Sequence, residues 1–192
     1  MRRPLFCTTG ASWDDSEGVK EAAEIKVDYR IGVLSDTHIP MRARYLPAEI
    51  FTAFANVDLI LHAGDIMEWP VIQELTTLAP VEAVAGNMDV GELRLRLPRR
   101  RMIEVGRVKI GLIHGDGAGY NTPLRALQSF SEVQCVVFGH SHRPYNERHG
   151  DVLLFNPGSP TDRRMMPMGS YGMLYVSGDD IWGEIFYLEP RG

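Results

Sequence analysis

Asp36 and His38, in the run Ser35-Asp36-Thr37-His38, close an apolar stretch that begins at Ile31. A carboxylate beside an imidazole is half of a site for a divalent metal, because both groups present ligand atoms that such cations accept. Groups of the same chemical type recur down the chain as Gly64-Asp65, Gly86-Asn87-Met88-Asp89, His114-Gly115 and Gly139-His140-Ser141-His142. Any one of these is weak, since a polar pair bonded to a turn, or a packed histidine, accounts for it. As a set they demand a cation or a wet cleft. Unpaired buried polar groups cost roughly 1 to 3 kcal/mol each, against a total stability of about 5 to 15 kcal/mol.

Each motif falls where a strand should end. Ile31 to Leu34 reads as a buried strand bounded by a polar turn, and side chains two apart in extended chain share a face, which points Asp36 and His38 together. Pro47 suits the first turn of a helix carrying Ile50, Phe51 and Phe54. A second strand ends at Gly64-Asp65, a helix follows over Val71 to Leu78, and a third strand delivers Asn87 and Asp89, with Gly86 permitting a tight turn. Strand, helix, strand at this spacing implies parallel pairing, which gathers the strand C-termini at one sheet edge, where open α/β sheets bind ligands. His62 is either a packed structural histidine or a support for a ligand.

Gly91 to Arg101 alternates Leu93, Leu95 and Leu97 with Arg94 and Arg96, and reads as an extended segment with one apolar face. A hairpin turning at Gly106 and Arg107 leads to His114. A short helix over Pro123 to Phe130 precedes a strand closed by Gly139. Asp151 to Phe155 then runs into Asn156-Pro157-Gly158-Ser159, and Tyr171 to Ser177 pairs with Ile181 to Leu188. The pattern predicts an α/β fold of two facing mixed sheets flanked by helices.

With 192 residues, a net charge of -5 and a pI near 5.7, the chain has room for one sizeable core and offers no global basic field for nucleic acid. Arg99-Arg100-Arg101 lacks interleaved aromatics to stack bases, so there is no strong nucleic-acid signal. Cys7 and Cys135 sit in unlike settings, which argues against a disulfide framework and for a reducing cytoplasm. No apolar run approaches the roughly 20 residues that span a bilayer, and the apolar residues after Arg3 are too few for a signal core. Residues 1–29 read as a flexible extension, with a short helix over Glu17 to Ile25 as an alternative, and residues 30–192 as a single domain.

In order, these strand-end motifs make the sequence resemble the calcineurin-like metallophosphoesterases, and among them the small bacterial and archaeal phosphodiesterases related to the retromer subunit of the same fold. The resemblance runs from about Ile31 to Leu188. It implies a four-layer sandwich, with one metal at Asp36, His38, Asp65 and His142 and a second at Asp65, Asn87, His114 and His140. It further implies metal-dependent hydrolysis of a small or nucleotide-like phosphodiester, by in-line attack of a hydroxide bridging two divalent metals and without a phosphoenzyme. Phosphomonoester hydrolysis and a non-catalytic scaffold are the rival readings. The two cations bring +4 and Asp36 with Asp65 return -2, which leaves the pocket positive. Oxygen and nitrogen ligands without thiolate suit manganese first, with nickel, iron, cobalt or zinc as alternatives.

One position departs from the phosphoprotein phosphatases of this superfamily. Their G-N-H histidine, which helps protonate the leaving group, is Met88 here, and a thioether cannot donate a proton. Asp65, Asn87 and Asp89 are the expected catalytic groups, Asp89 as an orienting neighbour. Asn87 and an arginine of the loop after Ser159, Arg163 or its neighbour Arg164, are expected to bind substrate. Whether the chain forms a homo-oligomer is left open.

Overall fold

The computed structural model describes residues 26–118 and 121–189. Most of the expected N-terminal extension, including the Glu17 to Ile25 helix, and Cys7 lie outside the described residues. Strand β1 (Tyr29–Leu34) is apolar on both faces because it is covered on both: Ile31 and Val33 enter one core, Leu34 another. It pairs in parallel with β2 (Leu59–His62), which pairs in parallel with β3 (Val81–Ala83). The crossovers carry α1 (Ala48–Ala53) and α2 (Trp69–Leu75).

After α3 (Gly91–Arg96) the chain builds a second sheet from the hairpin β4 (Arg100–Val105) and β5 (Val108–Ile113). Helix α4 (Thr122–Gln128), β6 (Cys135–Val137), β7 (Tyr145–His149) and β8 (Val152–Asn156) complete it, with β5, β6 and β8 parallel. The last hairpin, β9 (Gly169–Ser177) and β10 (Asp180–Leu188), returns to the first sheet and pairs antiparallel with β1. The result is two five-stranded mixed sheets, ordered β10-β9-β1-β2-β3 and β4-β5-β6-β8-β7.

Three apolar clusters define four layers. Ile31, Val33, Leu61, Val84, Ile110, Leu112, Val137 and Phe155 fill the space between the sheets. Leu34, Ile50, Phe54, Ile60, Val71, Leu75 and Leu93 fill the space between the first sheet and α1 to α3. Ala126, Val136, Phe138 and Leu154 lie beneath α4. Cys135 is a free, buried thiol, and no helix among the described residues is long and apolar enough to cross a membrane.

Two expectations are corrected. Residues Gly91–Arg96 are helical, not extended: Leu93 is buried while Leu95 is 89% exposed, Leu97 N–H bonds Leu93 O at 2.9 Å, and Glu92 pairs with Arg96 one turn on. The operative spacing of the leucines is i, i+4, not two. Strand β7 was not foreseen, because its exposed Asn146, Glu147 and Arg148 give no apolar alternation. It is an edge strand, and Asn146 Nδ2 and Arg148 Nη2 donate across to the carbonyls of Gly183 and Ile181, closing that side of the sandwich.

Phe54 lies flat over Gly32, where an added Cβ would stand 2.8 Å from the ring. Gly32→Ala therefore lowers stability by about 1 to 3 kcal/mol through overpacking, and Phe54→Leu added to it recovers part of the loss; urea midpoints of the single and double variants check both outcomes.

Candidate metal centre

The strands end one to four residues before the chemistry, and hydrogen bonds between the loops carry the parallel pairing onward. Asp36 N–H donates to Gly64 O (2.9 Å) and His38 N–H to Asp65 O (3.0 Å), while Gly139 N–H donates to His114 O (3.0 Å). The expected mechanism of convergence, alternation on extended chain, is wrong. Asp36, His38, Asp65, His140 and His142 all sit at positive φ, between 45° and 67°, a region that non-glycine residues rarely enter and that clusters at functional sites. Gly86 was expected as a turn former, yet it serves close approach instead. A Cβ there would lie 2.1 Å from Asp65 Oδ1, and one at Gly139 would lie 1.7 Å from Ser35 Oγ.

The predicted donors meet. His38 Nε2 and His142 Nε2 stand 3.3 Å apart, and Asp36 Oδ1 is 3.2 Å from His142 Nε2 and 3.9 Å from His38 Nε2. Asp65 Oδ2 lies 3.7 Å from His38 Nε2 and 3.3 Å from His114 Nε2. Asn87 Oδ1 lies 3.1 Å from His114 Nε2 and 3.0 Å from His140 Nδ1. Atoms bound about 2.1 Å from one cation lie roughly 3.0 Å apart at octahedral corners and about 3.4 Å apart at tetrahedral ones, so these separations suit ligands of a divalent ion.

Two further observations fit a metal. Asp36 Oδ1 is buried without a hydrogen-bond partner. His114 Nδ1 donates to Ala63 O at 2.8 Å and His142 Nδ1 to Asp162 O at 2.5 Å, which leaves each Nε2 as the atom facing the cluster. Carbonyl partners of this kind orient metal-binding imidazoles.

The supports were only partly foreseen. Asp36 Oδ2 accepts from Ser35 Oγ (2.5 Å) and from His140 N–H (2.9 Å), tying the two sheet edges together. Asn156 Nδ2 donates to Gly139 O and Ser159 Oγ to Asp36 O, so the Asn156 to Ser159 segment holds both histidine-bearing loops. His62 is fully buried; Gly64 N–H donates to its Nδ1, and its Nε2 faces Thr37 Oγ1 at 3.2 Å. It supports the loops and ligates nothing.

Asp89 is a positioning group as well. Its carboxylate accepts from the N–H groups of Asp65, Ile66, Met67 and Gly86 at 2.8 to 2.9 Å. Arg163 Nη1 donates to Pro167 O at 2.5 Å, and the residue borders a cleft of about 280 Å³ with Tyr45 and Met168. Arg164 is the one whose guanidinium touches a histidine-bearing loop, at His140 O.

Electrostatics follow from burial and neighbours. Burial pushes the Asp36 carboxyl up, but the His142 and His114 rings and the Ser35 hydroxyl outweigh it and hold it at about 2. Burial likewise opposes ionisation of Asp65, and the hydrogen bond with His114 prevails, lowering it. His114 is driven to about 9, because contact with Asp65 and the charge of Asp36 overcome burial. Burial brings His62 down to about 4 and lowers His38 and His140.

A sandwich of this topology carrying such a donor cluster is the metallophosphoesterase arrangement, and comparison with known proteins agrees. The chain belongs to the calcineurin-like phosphoesterase superfamily, whose domain matches residues 29–179. It is 43% identical over 157 residues to a probable metallophosphoesterase of Methanothermobacter thermautotrophicus, covering 81% of this chain and 90% of that protein. A phosphodiesterase of Methanocaldococcus jannaschii is 28% identical over 141 residues, 67% of this chain and 82% of the other. Vacuolar Protein Sorting 29 from Cryptosporidium parvum superposes with a TM-score of 0.74 over 85% of this chain and 93% of its own, at 20% identity, a likeness of fold.

Without metal, the charged form of His114 stabilises the fold. Its folded pKa of about 9 lies above the ordinary 6.5, so this contribution is fully present below pH 6.5 and is lost as pH rises through 9. Unfolding midpoints measured in chelator fall across that window, and the fall is absent in His114→Asn.

Proposed function

We propose that the chain is a two-metal phosphodiesterase acting on a small or nucleotide-like phosphodiester. The observation that carries this reading is Asp65 Oδ2, which lies 3.7 Å from His38 Nε2 and 3.3 Å from His114 Nε2, where the donor group of Asp36, His38 and His142 adjoins that of Asp36, Asp65 and His114. Asp36, His38, Asp65 and His142 would hold one cation; Asp65, Asn87, His114 and His140 would hold the other. Divalent metals there would supply Lewis acidity toward phosphoryl oxygens and a water acidic enough to act as nucleophile near neutral pH. Manganese is the metal to load first, since carboxylate and amide oxygens suit it, and imidazole admits nickel, iron, cobalt or zinc.

The chain's own residues have limited roles in the reaction. Asp36 and Asp65 would neutralise part of the metal charge, and neutral Asn87 would ligate without removing more. Ser35 is buried and bonded to Asp36, so it offers no side-chain nucleophile, in keeping with direct hydrolysis and no phosphoenzyme. Met88, half-exposed beside Asn87, gives its backbone N–H to Asp65 Oδ1 at 2.8 Å and brings no acid. This favours esters whose leaving group departs without a proton from the protein. The absence of a long apolar helix among the described residues and the reduced Cys135 suit the cytoplasm.

A scaffold role is the rival that the Vacuolar Protein Sorting 29 fold raises, and the complete donor set favours catalysis over it. Turnover of bis(p-nitrophenyl) phosphate with added manganese, and none in chelator, is the expected result; metal-loaded protein inert toward diesters and monoesters alike would establish the scaffold.

Asp65→Asn keeps an acceptor for the Met88 N–H, so the fold persists, while turnover falls by more than about 100-fold, the loss that even ligand-supporting groups can cause. Wild-type activity in a folded variant would remove Asp65 from its shared position. Met88→His places a proton donor beside Asn87 and raises kcat for p-nitrophenyl phosphate relative to the diester; an unchanged ratio would mean that no missing acid limits monoester cleavage.

A further inference from the structure

The chain carries net charge -5, yet arginines line the loops around the donor cluster, and they fall into two groups. Arg42 is paired with Asp162 (3.2 Å), Arg99 with Asp116, and Arg96 with Glu92 (2.8 Å). Arg94 and Arg164, like Arg44, Arg143 and Arg163, have no carboxylate partner among the described residues, but these two bond carbonyls next to or within the donor cluster. Arg94 Nη1 donates to Gly86 O at 3.3 Å, the carbonyl just before Asn87. Arg164 Nη1 donates to His140 O at 3.4 Å. The side chains of Asn87 and His140 themselves meet at 3.0 Å. Two guanidiniums without a carboxylate partner are therefore bonded to backbone carbonyls at the cluster, Arg94 to Gly86 O, which Arg99 Nη1 also engages at 3.0 Å, and Arg164 to His140 O.

Arg164 shares a second property with the cluster. Its φ is 48°, in the region occupied by Asp36, His38, Asp65, His140 and His142. Such strain in a non-glycine residue persists where surrounding structure imposes it, here in the loop that also gives Asp162 O to His142 Nδ1. A guanidinium held to a carbonyl by one N–H keeps other donors in a planar fork that matches a phosphate.

We propose that Arg94 and Arg164 bind a second phosphate of the substrate, so that the ester hydrolysed is a phosphodiester carrying an additional phosphate group. This rests on the phosphodiesterase reading for the identity of the first phosphate. Specificity then lies on the Asn87 and His140 side of the centre, where positive charge is not already neutralised. The half-exposed Met88 thioether next to Asn87 offers a soft surface to a flat ring, which makes nucleoside phosphates suitable probes.

The test is calorimetric titration of the manganese-loaded full chain with thymidine 3′,5′-bisphosphate and with thymidine 5′-monophosphate. At least tenfold tighter binding of the bisphosphate is expected. That preference drops below about threefold in the Arg94→Gln/Arg164→Gln double variant and partially in each single variant. Arg96→Gln, which removes the same charge from a paired position on α3, keeps it. Equal affinities in the wild type, a preference that survives in the double variant, or an equal loss in Arg96→Gln would each overturn the proposal. Bis(p-nitrophenyl) phosphate turnover is measured on the same preparation. Turnover without bisphosphate preference removes the second-phosphate site alone, whereas preference without turnover removes the diesterase reading and leaves the anion site standing.

Discussion

The site depends on one buried carboxylate oxygen, Asp65 Oδ2, staying between imidazoles that come from different sheets. It is 3.7 Å from His38 Nε2 and 3.3 Å from His114 Nε2. An unrestrained carboxylate would follow whichever ring carried a proton. Asp65 is restrained at both ends: Oδ1 accepts from Met88 N–H, and its own N–H is held by Asp89 Oδ2. The loops are further fixed by bonds that continue the parallel register past the strand ends. Those bonds offset the strain of five site residues at positive φ, a conformation costing about 1 to 3 kcal/mol each. The largely buried strands beneath make this strain sustainable.

Three aspartates at the same edge illustrate how environment assigns a role. Asp89 accepts four backbone N–H bonds and has no oxygen left for a metal. Asp36 commits Oδ2 to Ser35 and His140 and leaves Oδ1 without a hydrogen-bond partner. Asp65 commits Oδ1 and presents Oδ2. A candidate ligand here is a carboxylate with one oxygen anchored on backbone or hydroxyl donors and the other facing the imidazoles, whereas a carboxylate with both anchored is a brace. Residue type alone cannot separate these cases, because the difference lies in which backbone amides come within reach.

This is also where legibility in the sequence stopped. The parallel strands, and the gathering of the expected polar side chains near their ends, were readable, because apolar runs ending in acidic, amide or imidazole groups are local patterns. The manner of convergence was not: Asp36-Thr37-His38 looks like extended chain, and only the positive φ of Asp36 and His38 shows that it is not. The helix at Gly91–Arg96 was hidden because its leucines and arginines alternate as a strand would, and tertiary burial of Leu93 alone selects the helical period. Arg163 and Arg164 are adjacent and chemically identical, so no sequence argument could choose between a guanidinium bonded to Pro167 O and one bonded to His140 O.

The fold is shared with proteins whose sequence identity is too low to carry function, so function has to be argued from the site. Two features bear on it together. Met88 leaves the cluster without a side-chain proton donor at the position next to Asn87, which limits how far the protein can assist a poor leaving group. On the second-phosphate proposal, Arg94 and Arg164 would engage parts of a substrate that do not react. Binding energy from such remote parts accelerates hydrolysis when it holds the reacting phosphate in place and is realised in the transition state. An enzyme lacking an acid gains most from that arrangement, since positioning must supply what proton transfer does not. On that proposal the missing histidine and the two arginines would be two sides of one constraint on which phosphate esters the centre hydrolyses.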